Sequence, residues 1–423
     1  MGACYIVVAT VKLLSPCGGE TVELLPEAQK SIMAFESYDD RLAALCKDKE
    51  CGGEAYFRNK DAKWRTSAPL VLKWRTTDGE KGPWRIALGK DNSLSDATIW
   101  WIEDGDSSRK CDDGSVVFEW TVPQPNLELG RRYCWKIWSD TRCTNGFTHG
   151  SVMTGRCVTC GKHASVGESS LAEFVASQQP PRWIALEGRV KNVRDIGGWR
   201  TTDGRRVRQG MVFRGEGLND NSPSGEIPGR SKLMVEDVAY LKDVLGIKTD
   251  LDLRSGREAG GLTASPLGGD VTYVHRSSPM YIGVFSEPGM NDDGLETDGK
   301  RAMAENFRVF CNERNYPIYF HCTSGADRTG ALAYVLNGVL GVTKHDLETD
   351  WEATFYPRLP ELGKDYSGLK FWRREGHFDA GFSKYGGKDA SWNERIRLYL
   401  LDCGITQDEI DKFRSIMLEQ DGK

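Results

Sequence analysis

From Pro317 to Gly341 the chain reads PIYFHCTSGADRTGALAYVLNGVLG. A short apolar run with strand character, IYF, gives way within a few small and polar residues to a long apolar run with helical character. One tight turn must therefore join a strand to a helix. Such a turn curls the backbone so that successive N–H groups face one concavity, at the positive end of the helix dipole. Gly325 and its small neighbours Thr323, Ser324 and Ala326 let an oxyanion approach that backbone closely. Arg328 adds a planar fork suited to two oxygens of one anion, and the same positive surroundings favour the thiolate form of Cys322.

The segments around this turn alternate in type. A hairpin-like WRTTDGRRVRQGMVFRG is followed by a helix at SKLMVEDVAYLKDVLG, a strand at IKTDLDLRS and a longer irregular stretch from Gly256 to Gly299. A helix at RAMAENFRVFCNERN then leads into the strand before the turn. The end of the chain, NERIRLYLLDCGITQDEIDKFRSIMLEQ, reads as two helices broken at Gly404, with Thr406 capping the second. Alternation of this kind predicts an α/β domain with a central sheet flanked by helices.

The first part of the chain has a different grammar. Short aromatic segments such as LVLKW, ATIWWI, VVFEWTV and YCWKIWS are separated by turn formers, and eight of the thirteen tryptophans lie before residue 160. This predicts an all-β sandwich, with its tryptophans in the core and a carbohydrate-stacking surface as the alternative. A helical insertion is expected around Pro26 to Cys46. The readings divide the chain into a β-sandwich accessory domain with that insertion over 1–160, a linker over 161–171 and the α/β domain over 172–423.

Nine of the twelve cysteines fall in the first 160 residues. Disulfides in an exported domain are the favoured reading, with free thiols or a zinc site at Cys157 and Cys160 as alternatives. Gly2-Ala3-Cys4 is like the end of a bacterial lipoprotein signal whose upstream part is missing. The expected location is therefore secreted, periplasmic or cell-surface, with cytoplasmic as the alternative. A net charge of -5 argues against nucleic acid as a partner, and no apolar run is long enough to span a bilayer.

The block His321-Cys322, with Arg328-Thr329-Gly330 after it, resembles the H-C-x(5)-R-[ST] signature of the cysteine-dependent protein tyrosine phosphatase superfamily. Asp327 immediately before the arginine makes it most similar to the bacterial tyrosine/serine phosphatase branch. NVRDIGGWRTTDGRRVRQGMVFRGEGL and GIKTDLDLRSGREA are similar to that branch's N-x-R-D-x-G-G and D-L-R segments, so the resemblance covers about residues 172–423. At LELGRRYCWKIWSD the first part loosely resembles fibronectin type III-like domains.

The resemblance implies a role for each matching residue. Cys322 attacks phosphorus, while Arg328 and the amides of Thr323, Ser324, Gly325 and Ala326 hold the oxygens. Thr329 eases departure of the thiolate, and His321 orients the loop from behind. Asp327 is the first choice for the general acid, Asp252 at a strand end the second, and Asp292 or Asp293 the third. Arg194, Arg214 and Arg254 are candidates to line the anion pocket, whereas Tyr281 and Trp351 read as core. No cofactor or metal is implied. The implied activity is hydrolysis of phosphomonoesters, phosphotyrosine first, on a protein or a small molecule. An inositol-phosphate or phosphoinositide substrate is an alternative, weakened by Ala326 where such members often carry lysine. A non-catalytic phospho-ligand-binding module is a third reading. The accessory domain would engage a cell-surface, glycan or protein ligand.

Overall fold

Alternating burial along the aromatic strands organises the first part of the molecule. In a computed structural model, residues 11–25, 30, 68–77, 82–103, 106–123, 126–139, 167–169, 171–177, 180–220, 231–278, 284–286, 289–290, 296–354 and 377–419 are described. The chain divides into two units, the first made of residues 1–24 and 68–178, the second of 25–67 and 179–423.

The strands of the first unit are β1 (Val11–Ser15), β2 (Glu20–Val22), β3 (Val71–Thr76), β4 (Trp84–Gly89), β5 (Thr98–Ile102), β6 (Ser107–Lys110), β7 (Val116–Thr121), β8 (Arg132–Ser139), β9 (Gly167–Glu168) and β10 (Ala172–Ala176). They form one sheet in the order β1-β3-β7-β6 and a second in the order β2-β10-β8-β4-β5, with β9 added to β8. Period-two patterning does the sorting. In β3, Leu72, Trp74 and Thr76 are buried while Lys73 and Arg75 are partly exposed. Trp74 stacks on Phe118 at 5.5 Å, and Trp84 from the other sheet meets both rings edge-on at 5.7 and 5.4 Å. Trp74, Trp84, Trp100, Trp120 and Trp135 are buried. Core packing is what these five residues do. Trp138 is partly exposed, with the Arg85 guanidinium 4.5 Å from its ring centroid.

The expected boundary needs correcting. Ala172–Ala176 pairs with both β8 and β2, so it is a strand of the first unit and not the start of the second. The linker 161–171 does not hold, because β9 lies within it and pairs with β8, and β10 continues the same sheet after it. Of the expected helix around Pro26 to Cys46 only Lys30 is among the described residues, and it is helical. Cys17, Cys111 and Cys134 are free cysteines, so for these three the disulfide expectation fails. The Cys17 thiol donates to the Leu14 carbonyl at 3.2 Å, and Cys134 donates to Asn92 Oδ1 at 3.0 Å. Cys4, Cys46, Cys51, Cys143, Cys157 and Cys160 lie outside the described residues.

The second unit contains β11 (Arg182–Trp183), β12 (Arg194–Asp195), β13 (Val212–Glu216), α1 (Val235–Ala239), β14 (Thr249–Asp252), β15 (Thr272–His275), β16 (Gly289–Met290), β17 (Glu296–Thr297), α2 (Gly299–Phe310), β18 (Ile318–Cys322), α3 (Asp327–Leu340), α4 (Lys344–Ala353), α5 (His377–Phe382), α6 (Trp392–Asp402) and α7 (Gln407–Met417). Its main sheet runs β11-β12-β13-β18-β14-β15, with β13, β18, β14 and β15 mutually parallel. Every residue of β18 is buried, as a central parallel strand covered on both faces requires. All but the first residue of α3 are buried as well. Gly330 lets α3 lie against Trp351 of α4, because a Cβ there would sit 2.0 Å from the indole ring. The expected cap at Thr406 is present as a full capping box: its hydroxyl accepts from Glu409 N, and Glu409 Oε2 accepts from Thr406 N. No helix among the described residues is long and apolar enough to cross a membrane.

Candidate active site

The C-terminal end of β18 and the N-terminus of α3 deliver Cys322 and Arg328 to opposite ends of one short loop. Gly325 adopts a positive φ of 65°, and a Cβ there would lie 2.4 Å from the Gly215 carbonyl oxygen, so glycine is required on both counts. Among the described residues, the backbone N–H groups of Thr323, Ser324, Gly325 and Ala326 donate to no acceptor. Four successive donors are thus left for something the loop encloses. Cys322 is buried at their base.

Arg328 is held in place by a residue the motif reading passed over. Its Nη1 and Nη2 donate to Glu258 Oε2 and Oε1, each at 2.7 Å, and Thr323 Oγ1 donates to Glu258 Oε1 at 3.1 Å. Glu258 also accepts from the Ser255 amide and hydroxyl at 2.9 Å. The Arg328 bond holds the Glu258 carboxyl down to about 2 from its ordinary 4.5. The Nε–H edge of the guanidinium has no partner among the described residues. The signal for Glu258 was present in LRSGREA, but a glutamate four residues beyond Arg254 has no meaning until the turn brings it under Arg328.

Since the pKa of Glu258 is depressed, its contribution is present above its ordinary value and is lost only as pH falls toward about 2. Glu258→Gln is therefore expected to lower kcat/KM about tenfold at every pH between about 5 and 8, without moving the acid limb. A kcat/KM profile of the variant checks this; a shifted acid limb would contradict it.

His321 is the fourth residue of β18, next to Cys322. Its Nε2 lies 3.0 Å from Asp250 Oδ1, its Nδ1 lies 3.3 Å from the Cys322 carbonyl oxygen, and it is almost wholly buried. Asp327 opens α3 and is partly buried at the junction of loop and helix. The Thr329 hydroxyl is buried and has no partner among the described residues. Asp292 and Asp293 lie outside the described residues.

Asp252 does not suit the acid role. It is fully buried and receives Arg254 Nε at 2.9 Å, Arg254 Nη2 at 2.6 Å and the Tyr273 hydroxyl at 2.9 Å. Burial alone would raise its carboxyl, but His321 and Arg254 together hold it below the usual range. A carboxylate so held has no proton to give near neutrality. Asp252→Asn is expected to strand a buried guanidinium, at a cost of about 3–5 kcal/mol. It should slow aryl phosphate and phosphotyrosine turnover by the same factor; thermal unfolding and paired rate measurements check both.

The three arginines expected to line the pocket are likewise corrected. Arg194, Arg214 and Arg254 are buried, and each is committed to a carboxylate. Arg254 also donates to Asn219 Oδ1 at 2.7 Å. Arg194 Nε and Arg214 Nη1 share Asp350 of α4, at 2.9 and 2.8 Å, and both arginines donate to Thr354 Oγ1. Burial would raise the Asp350 carboxyl, but Arg194 and then Arg214 hold it below the usual range. Burial, followed by the neighbouring Arg194, pulls Arg214 down to about 9. Trp351 is buried against Gly330, as the core reading expects.

Comparison with known proteins places this geometry in context. The chain is 26% identical over 190 residues, which is 42% of this chain and 67% of the relative, to a Cupriavidus necator protein that carries the name of a tyrosine-protein phosphatase. Among solved structures, one similar chain is the core catalytic domain of the PP-IP phosphatase Siw14 from S. cerevisiae in complex with citrate. It shows 13% identity and a TM-score of 0.23, covering 40% of this chain and 93% of that one. A second Siw14 catalytic core gives 12% identity and the same TM-score, covering 41% of this chain and 93% of that one. At that score neither structure bears on substrate. Residues 184–362, which contain every side chain of the cradle and its supports, match the tyrosine phosphatase family model.

Proposed function

We propose that the chain hydrolyses phosphomonoesters, phosphotyrosine foremost, through a phosphocysteine intermediate on Cys322. The observation that carries this reading is the loop itself: four consecutive N–H donors without acceptors among the described residues, a cysteine at one end, and an arginine fixed bidentately by Glu258 at the other. In the first step the Cys322 sulfur attacks phosphorus as the P–O bond to the leaving group breaks. Asp327 delivers a proton to that departing oxygen. In the second, water attacks phosphorus, the P–S bond breaks, and inorganic phosphate leaves as Asp327 takes up the water proton. Loop amides and Arg328 balance the charge on the equatorial oxygens throughout. The Thr329 hydroxyl, buried without a partner among the described residues, is available to the sulfur as it departs.

The acid is tested by leaving group. Protonation contributes about 10²–10⁴ in rate for a poor leaving group and far less for nitrophenolate. Asp327→Asn is therefore expected to slow a phosphotyrosine peptide strongly and para-nitrophenyl phosphate much less. Equal loss on both substrates would instead give Asp327 a bracing role in the loop. A panel that includes inositol phosphates decides the substrate class, and turnover confined to them would replace the phosphotyrosine reading. Activity is expected to survive EDTA, since arginine and amides supply the positive charge.

A further inference from the structure

The carbonyls of the cysteine loop are pulled in one direction by side chains outside it. Asn192 Nδ2 donates to the carbonyls of Ser324 at 3.3 Å and Gly325 at 3.1 Å, and Arg214 Nη2 donates to the Gly325 carbonyl at 2.9 Å. In a trans peptide the C=O and the following N–H point in opposite directions. Pinning the carbonyls of Ser324 and Gly325 toward Asn192 and Arg214 therefore aims the N–H groups of Gly325 and Ala326 away from them. These are two of the four donors with no acceptor among the described residues.

The pins are themselves braced. Arg194 Nη1 donates to Asn192 Oδ1, which fixes the amide so that Nδ2 faces the loop. Arg194 and Arg214 are in turn held by the two oxygens of Asp350. Asn192 is 5% exposed, both arginines and Thr354 are wholly buried, and Asp350 is 4% exposed, so water does not compete for these bonds. From this geometry we infer that Asn192, together with Arg214, is a positioning residue. It sets the peptide orientation that turns the loop's amides toward an oxyanion, with Asp350 as the distant anchor. The inference rests on reading the loop as an oxyanion cradle.

Asn192→Asp separates positioning from mere support. The carboxylate keeps the shape and the bond from Arg194, but it has no N–H to donate and faces two carbonyl oxygens. In the full chain, three quantities are compared with wild type: the thermal midpoint, the rate of Cys322 alkylation by iodoacetamide, and the tungstate concentration that protects Cys322. Expected for Asn192→Asp are a lowered midpoint that still leaves the chain folded at the assay temperature, a slower but measurable alkylation of Cys322, and a loss of tungstate protection of about tenfold or more, as for lost oxyanion donors. Asn192→Ala, which also lacks the donor, serves if the aspartate variant loses its fold. Wild-type tungstate protection in either folded variant would overturn the inference. Because protection needs no turnover, a wild type that tungstate protects but that hydrolyses no phosphomonoester would overturn the phosphatase reading alone.

Discussion

Cys322→Ser is expected to lower turnover by more than about 10⁴-fold while leaving oxyanion binding nearly intact. A serine hydroxyl at the end of β18 stays protonated near neutrality, so the loop would still bind an oxyanion but would present no nucleophile to it. The binding elements are separate from the sulfur: the N–H groups of Thr323 to Ala326 belong to the backbone, and Arg328 is held by Glu258. Tungstate affinity measured by calorimetry should therefore change little, while phosphate release from para-nitrophenyl phosphate falls to background. Substantial residual turnover would rule out the covalent route. Loss of tungstate binding along with activity would mean that Cys322 holds the loop together and is not merely placed in it.

Arg328→Lys is expected to cost about 10²–10³ in kcat and to raise KM as well. The charge is conserved, so a small effect would be the outcome if Arg328 acted only as a point charge. Its geometry argues otherwise. Both Nη atoms are taken up by Glu258 at 2.7 Å, which locks the plane of the guanidinium and leaves the Nε–H edge without a partner among the described residues. Lysine carries three donors on one atom with no fixed plane, so it cannot grip Glu258 bidentately and present a second, oriented edge to the substrate. The variant also leaves Glu258 with one fewer rigid partner, so Glu258→Gln in the Arg328→Lys background should cost less than in wild type. Steady-state kinetics on the four proteins of that cycle provide the check, and strictly additive losses would mean that the two side chains act independently.

The sequence alone determined those features that depend on near neighbours. The strand, turn and helix from Ile318 to Leu340 follow from an apolar run, small residues and a second apolar run, all within 25 residues of chain. The Thr406–Glu409 capping box is equally local, and the Trp74 and Trp84 core follows from period-two patterning. Tertiary structure decided what depends on distant partners. Whether an arginine at a strand end meets substrate or a buried carboxylate turns on what lies across from it. Asp350, 156 residues from Arg194, is what draws Arg194 and Arg214 beneath the loop. Glu258, 70 residues from Arg328, is what fixes the guanidinium that stays at the site. The domain boundary moved for the same reason, since Ala172–Ala176 is assigned by the strands it pairs with and not by its own composition. A charged side chain's role is set by its counter-charge and its exposure, and in this chain both come from elements far away in sequence.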